Sequence, residues 1–287
     1  AARGEPGRTI LLKNTTAADM ATIRDTFGYS VDPIDGSTLI FTDLDTANNA
    51  CRANLHDTIL ISAGYTETVT SAGDIALDIA GVSVIGFGNG DNRPRFTFTS
   101  TVDNTASITM SADDCAFKNV VLICNDDALT NALNVTGNDA DIDIHSQDGS
   151  DAIEFATVIR LDTADNARVK LRHNGFITGN AMVSCIRLDD CDNVNIDIDG
   201  YGVLTTAWVE MVDVASSNVT VNGRVYTSGV TGGTRNVVDT ITGSTWDARI
   251  WDASAAAMQR GGSGEALAFD DVGDLASALA LAGADAV

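Results

Sequence analysis

A pattern of short strands repeated between residues 133 and 221 constrains the fold more than any other feature of the chain. A triplet of apolar, polar and apolar residues recurs there at steps of 26, 27 and 26 residues. Such alternation places the outer residues of each triplet on one face and the middle residue on the other, which is typical of a half-buried β-strand. The triplets are Leu133-Asn134-Val135, Ile159-Arg160-Leu161, Ile186-Arg187-Leu188 and Val212-Asp213-Val214.

A second triplet follows the first within each repeat, at steps of 27, 25 and 25 residues. A repeat of this length with such short strands cannot bury its apolar face alone and must stack on its neighbours. We therefore predict an all-β solenoid in which equivalent strands of successive coils pair in parallel. The second triplets are Ile142-Asp143-Ile144, Val169-Lys170-Leu171, Val194-Asn195-Ile196 and Val219-Thr220-Val221.

Stacking the coils predicts which outward side chains are neighbours. Opposite charges would meet at Arg187 with Asp213 and at Asp143 with Lys170, whereas Arg160 beside Arg187 would be unfavourable. The inward positions are aliphatic, and burying each contributes about 1.5–3 kcal/mol. The stability of the fold is therefore expected to come from its core. The predicted outward columns are Asn134, Arg160, Arg187, Asp213 and Asp143, Lys170, Asn195, Thr220.

The charge balance excludes one class of partner. The chain has 35 Asp and 5 Glu against 14 Arg and 3 Lys, with a formal net charge of −23. Such an acidic chain is not expected to bind nucleic acid. Abundant Asp with scarce Lys is typical of a halophilic source, because concentrated salt screens the repulsion. A GC-rich genome combined with Asp-rich turns is the alternative.

The cysteines and the hydropathy exclude two further classes. No CxxC pair and no histidine at metal-ligand spacing accompany the five cysteines, so we expect small buried thiols and no structural zinc. No run of about 18 apolar residues is present, so membrane insertion is not predicted. The cysteines are Cys51, Cys115, Cys124, Cys185 and Cys191.

Residues 1–56 are predicted to form an N-terminal arm and a helical cap. Thr15 or Thr16 fits the start of a helix that ends at Gly28, and a second helix fits residues 43–55. Helices at this end would cover the unpaired strand edge and the open apolar core of the first coil.

Residues 57–98 resemble a known superfamily. Asp57 to Glu67 read DTILISAGYTE, and Val82 to Gly88 read VSVIGFG. With the upstream residues 29–37, these stretches resemble the opening coils of the pectin-lyase-like, right-handed parallel β-helix superfamily. The resemblance covers residues 29–227 and implies a right-handed β-helix over residues 57–230. The cluster of Gly, Asp, Asn and Pro at 89–94 separately predicts an external loop. It assigns no chemistry, because enzymes and inert scaffolds share the pattern.

Residues 231–287 are predicted to leave the repeat and to mediate oligomerisation. Residues 270–284 fit a helix, and DTITGSTW at 239–246 resembles the end of β-helix virion proteins of tailed viruses. That resemblance implies a homotrimer. The residues expected at its interface are Trp246, Trp251, Val272, Leu275 and Leu279.

An active site is the less favoured interpretation of the acidic residues. Enzymes of this fold act on acidic polysaccharides, and the best candidate set here is Asp189, Asp190 and Arg187. Asp at strand ends also satisfies turn amides, and the hydrolase motifs of the superfamily are not matched. We therefore expect no catalytic residues and no enzyme.

Calcium is the one metal that the sequence admits. Asp141, Asp143 and Asp192 are candidate ligands if turn carbonyls converge with them. A solvated acidic face is the preferred alternative, so no cofactor is expected.

These observations together favour a non-enzymatic structural protein on the surface of a tailed virus particle. It would decorate the capsid or form part of a fibre or spike, with capsid or tail proteins as partners and host-surface glycans as further contacts. A polysaccharide lyase or depolymerase is one alternative, and a cell-surface adhesion module is another.

Overall fold

The chain folds as an all-β parallel solenoid of about eight turns, as predicted. The structure, a computed structural model, describes residues 7–14, 32, 36, 38–100, 104–176, 181–227, 236–241, 243–254, 257–262 and 265–269. Across these residues, helix is limited to α1 (Leu44–Asn49) and a single 3-10 turn (Gly90–Asn92).

Two sheets run along the solenoid. The large sheet has 14 strands, of which the first twelve in chain order pair in parallel and the last two antiparallel. Its strands are β1 (Thr9–Leu12), β2 (Ile40–Phe41), β3 (Thr58–Ile61), β4 (Thr66–Val69), β6 (Ser83–Gly86), β7 (Arg95–Phe98), β9 (Ala116–Cys124), β11 (Asp141–Gln147), β13 (Arg168–Asn174), β15 (Asn195–Gly202), β17 (Val219–Thr227), β19 (Trp246–Asp252), β20 (Ala257–Gly262) and β21 (Glu265–Phe269).

The small sheet has seven parallel strands, each one coil from the next. It faces the large sheet across the apolar core that both line. Its strands are β5 (Ile75–Leu77), β8 (Ile108–Met110), β10 (Leu133–Val135), β12 (Thr157–Asp162), β14 (Met182–Asp189), β16 (Leu204–Met211) and β18 (Val237–Asp239).

Most of the predicted inward positions form the core, but Val214, which was predicted to face inward, is 50% exposed and lies in a turn. Ile159, Ile186 and Val194 are buried, and every second residue of β13 is buried while the intervening ones are exposed. Aromatic rings also fill the interior, where Phe96 and Phe117 pack edge to face at 5.8 Å between ring centroids. All five cysteines are free and buried, which confirms their predicted role.

The register of the first predicted column is correct for three coils and wrong for the fourth. Arg160 lies beside Asn134 and Arg187, but Arg187 lies beside Glu210 and not beside Asp213. Only one residue joins β15 to β16, so this coil is shorter than the others. The residue of β16 that lies beside Arg187 is therefore three positions earlier in the chain than a constant repeat predicts. Asp213 instead lies in a turn, with a φ of 58°.

The second column is two residues out of register in its last two coils. Asp143 lies beside Lys170 as predicted, and the next neighbours are Asp197 and Asn222, not Asn195 and Thr220. Links of equal length precede β13 and β15, which keeps the two strands 27 residues apart. Because a shift of two residues preserves the face, the inward assignments remain correct.

The predicted N-terminal helical cap is not confirmed. In place of the helix predicted over residues 43–55, the structure has the six-residue α1, which ends six residues before position 55. The side chain of Asp43 accepts a hydrogen bond from the Thr46 amide at 2.8 Å at the start of α1. Asp45 accepts from the Ala76 amide at 3.0 Å, and Asn48 donates to the Ala76 carbonyl at 2.9 Å. These side chains complete the free edge of β5. The helix predicted to end at Gly28 lies outside the described residues.

The coils continue beyond residue 231, where the sequence pattern fades. Strand β18 pairs in parallel with β16, and β19 pairs in parallel with β17, so both sheets gain one more coil. Strands β20 and β21 then turn back antiparallel and cover the edge of β19. The helix predicted at 270–284 lies outside the described residues, and the predicted domain boundaries stay predictions.

Candidate functional site

Two of the predicted catalytic residues form hydrogen bonds or ion pairs with other residues of the protein. Asp189 is buried; its Oδ2 accepts from Arg160 Nη2 at 3.1 Å and its Oδ1 from the Val214 amide at 3.0 Å. Arg187 pairs instead with Glu210, with 3.3 Å between Nε and Oε2. Asp190 is exposed and holds a turn with a φ of 53°. Asp189 and Arg187 are therefore engaged by other residues of the protein, and Asp190 shapes a turn.

The candidate calcium ligands also lie apart. Asp141 pairs with Lys118, and Asp143 pairs with Lys170 at 3.5 Å between Oδ2 and Nζ. Asp192 belongs to a ladder of turns, where its amide donates to Asp165 Oδ1 at 2.8 Å. In the described part of the chain, no group of three or more His, Cys, Asp or Glu side chains is placed to hold a metal ion.

The two tryptophans predicted at an oligomer interface lie in the last parallel coil. Trp246 is half-buried and packs against the core, whereas Trp251 is exposed on the outer face of the large sheet. Val272, Leu275 and Leu279 lie outside the described residues.

No helix among the described residues is long and apolar enough to span a bilayer. Burial raises the pKa of the Cys51 and Cys124 thiols to about 12, so both stay protonated and weakly nucleophilic at neutral pH.

The outer face of the large sheet carries a concentration of basic side chains on an otherwise acidic protein. In its parallel strands β1 to β19, outward positions hold seven of the 17 basic residues of the chain. Charges alternate from coil to coil, as in the column Lys118, Asp143, Lys170, Asp197. The seven residues are Arg95, Lys118, Arg168, Lys170, Arg172, Arg224 and Arg249.

A cavity of about 390 Å³ opens on this face. We name it the arginine cavity, after Arg93, Arg95 and Arg172, which line it together with His145. Arg93 comes from the loop predicted at 89–94, and the other three come from β7, β11 and β13. Strand pairing makes His145 and Arg172 direct neighbours. Four elements therefore bring positive or protonatable groups to one space.

Electrostatics keep His145 neutral in this cavity. Burial, together with the charges of Arg93 and Arg172, lowers the pKa of His145 from 6.5 to about 4, against a smaller opposing effect of Asp143. Protonating the imidazole would add another cation to a partly desolvated group of cations. An anion bound in the cavity would instead favour protonation of His145 and raise its pKa.

A second cavity of about 320 Å³ adjoins the first, sharing Arg172 and Asp199. Asp197 and Asp199 both project outward from β15 and line it with Arg224. Beside them Tyr201 and Tyr226, each 38% exposed, stack at 5.2 Å between ring centroids with a 20° interplanar angle. The cavities and the stacked rings form one polar and aromatic strip, which we call the outer strip.

A buried polar cluster lies behind the outer strip. Ser146 Oγ is 2.9 Å from His173 Nδ1, and Asp148 Oδ2 is 3.5 Å from His173 Nε2. All three side chains are buried inside the solenoid, and the Trp208 ring packs near His173 at 6.0 Å between centroids. A serine, a histidine and an aspartate therefore meet here, and the cluster joins successive coils. Ser146 and His173 also line the arginine cavity.

Sequence reasoning missed the outer strip for an identifiable reason. The sequence NIDID at 195–199 already carries two carboxylates at alternate positions, which is the pattern of one exposed strand face. The two-residue register error placed Asn195, not Asp197, beside Lys170 and hid this grouping. The stacking of Tyr201 on Tyr226 follows from the correct register.

No family model, no curated protein and no solved structure matches this chain.

Proposed function

We propose that this chain is a non-enzymatic structural protein on the surface of a tailed virus particle, which contacts host-surface glycans through the outer strip. The observation that carries the glycan contact is the stacked, exposed Tyr201–Tyr226 pair beside two open cavities lined by Arg and Asp. Aromatic rings pack on the apolar faces of sugars, while charged side chains bond hydroxyl and acidic groups.

The use of the predicted catalytic residues supports a non-enzymatic role. Both carboxylate oxygens of Asp189 already accept hydrogen bonds, and Arg187 is engaged by Glu210. A catalytic acid or base needs an atom within reach of the substrate proton. The placement on a virus particle rests on the resemblance at residues 239–246, and a right-handed pectin-lyase-like β-helix is part of the same proposal.

Glycan binding is tested on an array of host-envelope oligosaccharides. The wild-type protein should bind a defined subset, and Tyr201→Ala with Tyr226→Ala should weaken that binding about tenfold or more. Phe87→Ala removes another exposed aromatic ring away from both cavities and serves as the matched control. Binding that survives loss of both tyrosines would exclude the outer strip as the contact.

The particle location has its own test. Mass spectrometry of purified virus particles should find peptides of this chain at a stoichiometry of structural proteins. Their absence from particles that infect normally would contradict the proposal.

A polysaccharide depolymerase is the second candidate, because Asp197 and Asp199 project from one strand into the second cavity. Alternate residues on a strand lie about 7 Å apart, within the separation used by inverting glycosidases. A depolymerase would release new reducing ends from an acidic polysaccharide, and Asp197→Asn or Asp199→Asn would abolish the release. Intact polysaccharide after prolonged incubation would favour the non-enzymatic proposal.

A further inference from the structure

We propose that the arginine cavity is a binding site for one oxyanion group, the carboxylate or sulfate of an acidic sugar. This inference deepens the proposed function and rests on it for the sugar that carries the anion. The site itself is argued from four observations about the cavity.

The first observation is convergence. Arg93 and Arg95 lie two residues apart, whereas Arg172 comes from the distant strand β13. His145 lies between Arg95 and Arg172 in the column of paired strands. Guanidinium groups offer several donors in one plane and bind carboxylate and sulfate oxygens in pairs.

The second observation concerns partners. Arg8, Arg160 and Arg187 each form an ion pair with a carboxylate, as expected where Asp is abundant. Arg93 and Arg172 form no ion pair within 4.0 Å among the residues that the structure describes. Arg95 pairs with Asp91, which also lines the cavity, at 2.7 Å between Nη2 and Oδ1. Arg168 and Arg224 likewise form no ion pair among the described residues, but they lie outside this cavity. Arg93 and Arg172 are therefore the two cavity arginines that an external anion can pair with.

The third observation is unsatisfied hydrogen-bonding capacity. Arg93 Nη1 and Arg95 Nε are buried N–H donors without a hydrogen-bond acceptor in the described part of the protein. Leaving such donors unpaired costs free energy, and an oxygen of a bound anion at this position would satisfy them.

The fourth observation selects an acidic sugar over a free ion. The cavity volume of about 390 Å³ is in the range of small-molecule sites. Tyr201 lines one side and offers an apolar ring face, and Asp199 offers carboxylate oxygens that accept from hydroxyl groups. The same carboxylate repels a second anionic group, so the site takes one anion with neutral hydroxyls beside it.

The test is isothermal titration calorimetry of the full chain with sodium glucuronate, a monosaccharide sulfate, neutral glucose and inorganic sulfate. At least one acidic sugar should bind, neutral glucose should not, and Arg172→Ala should weaken that binding roughly ten- to hundredfold. Arg168→Ala is the matched control, because Arg168 is exposed on the same face of the same strand outside both cavities. It should change affinity less than about twofold.

The outcomes separate the site from the proposed function. Acidic sugars that bind through Arg172, with no glycan bound on the array, would support the site and contradict the host-glycan contact. Array glycans that bind equally to wild type and Arg172→Ala would overturn the site while leaving that contact intact. Binding of inorganic sulfate without either sugar would overturn the assignment to an acidic sugar, as would equal losses in Arg168→Ala and Arg172→Ala.

Discussion

The buried carboxylate of Asp57 is held by the guanidinium of Arg8, with 3.0 Å between Oδ2 and Nη2. The Arg8 amide donates to Oδ1 at 2.6 Å, and Arg52 Nη2 pairs with the same oxygen at 3.2 Å. These contacts fasten β1 to β3 at the start of the solenoid. Burial alone would raise the pKa of Asp57, but the hydrogen bonds from Arg52 and Arg8 outweigh it and lower the pKa below 3.8.

Asp57 is therefore expected to stabilise the fold in a pH-dependent way. Its folded-state pKa is lowered, so its contribution is full above pH 3.8 and is lost as pH falls through the folded value. Asp57→Asn should cost about 3 kcal/mol at pH 7, because two arginines lose a buried partner. Urea unfolding at pH 3 and pH 7 checks both points, and the variant should lose less stability on acidification. Equal losses in the two proteins would contradict the assignment.

Adjacent substitutions on β15 test the core assignment. Ile196→Asp places a charge in the apolar interior and should cost about 4 kcal/mol or more, or prevent folding. Asn195→Asp introduces the same side chain one residue earlier on the exposed face and should change stability by less than about 0.5 kcal/mol. Thermal unfolding followed by circular dichroism measures both. Similar tolerance at the two positions would refute the assignment of faces.

The lowered pKa of His145 predicts that both stability and anion binding depend on pH. Its pKa is lowered to about 4, so the folded state takes up fewer protons than the unfolded state between pH 4 and 6.5. Stability contributed by the neutral ring is therefore full above pH 6.5 and falls as pH drops towards 4. The groups that set this balance are Arg93, Arg172, Lys170 and Asp143.

A bound anion should raise the pKa of His145, because it offsets the surrounding arginines. Nuclear magnetic resonance titration of the imidazole, with and without saturating acidic sugar, measures the shift. In the protein without ligand, Arg172→Ala should raise the pKa of His145, because it removes one nearby cation. An unchanged midpoint on adding a ligand that binds would mean that the anion lies elsewhere.

The net charge of −23 predicts the response to salt. If the source is halophilic, the melting temperature should rise steeply from low to molar sodium chloride, because salt screens repulsion among Asp side chains. A flat response would leave the composition of the genome as the explanation for scarce Lys. Sodium sulfate at equal ionic strength is a useful comparison, since it also reports on the arginine cavity.

Assembly through the C-terminal segment remains a prediction. Sedimentation of the intact chain should give about three subunits if residues beyond the coils associate around a threefold axis. Leu275→Asp with Leu279→Asp should disrupt the trimer, because charges enter the predicted apolar stripe. Ser277→Asp, off that stripe, is the control. A monomeric wild-type protein at micromolar concentration would exclude the trimer.

Much of the core could be predicted from the sequence. Ile159, Ile186 and Ile196 are buried as the alternation requires, because a strand between an apolar core and solvent selects side chains by face. The end of α1 at Asn49 was less predictable, since Asn54 and His56 adopt positive φ values that no periodicity reveals. The pairing of Arg187 with Glu210 likewise depends on the one-residue link between β15 and β16, and the repeat in the sequence does not predict the length of that link.

The sequence by itself determined the coil, its apolar interior and its acidic surface, because those follow from alternation and composition along the chain. Tertiary structure alone decided which outward side chains became neighbours, since a shift of two residues leaves every face unchanged but replaces each partner. It placed Arg93 over His145 and Arg172, and it stacked Tyr201 on Tyr226. It also engaged Asp189 with Arg160. Faces are set by local geometry, whereas columns are set by the hydrogen-bond register between coils and by the lengths of the turns that join them.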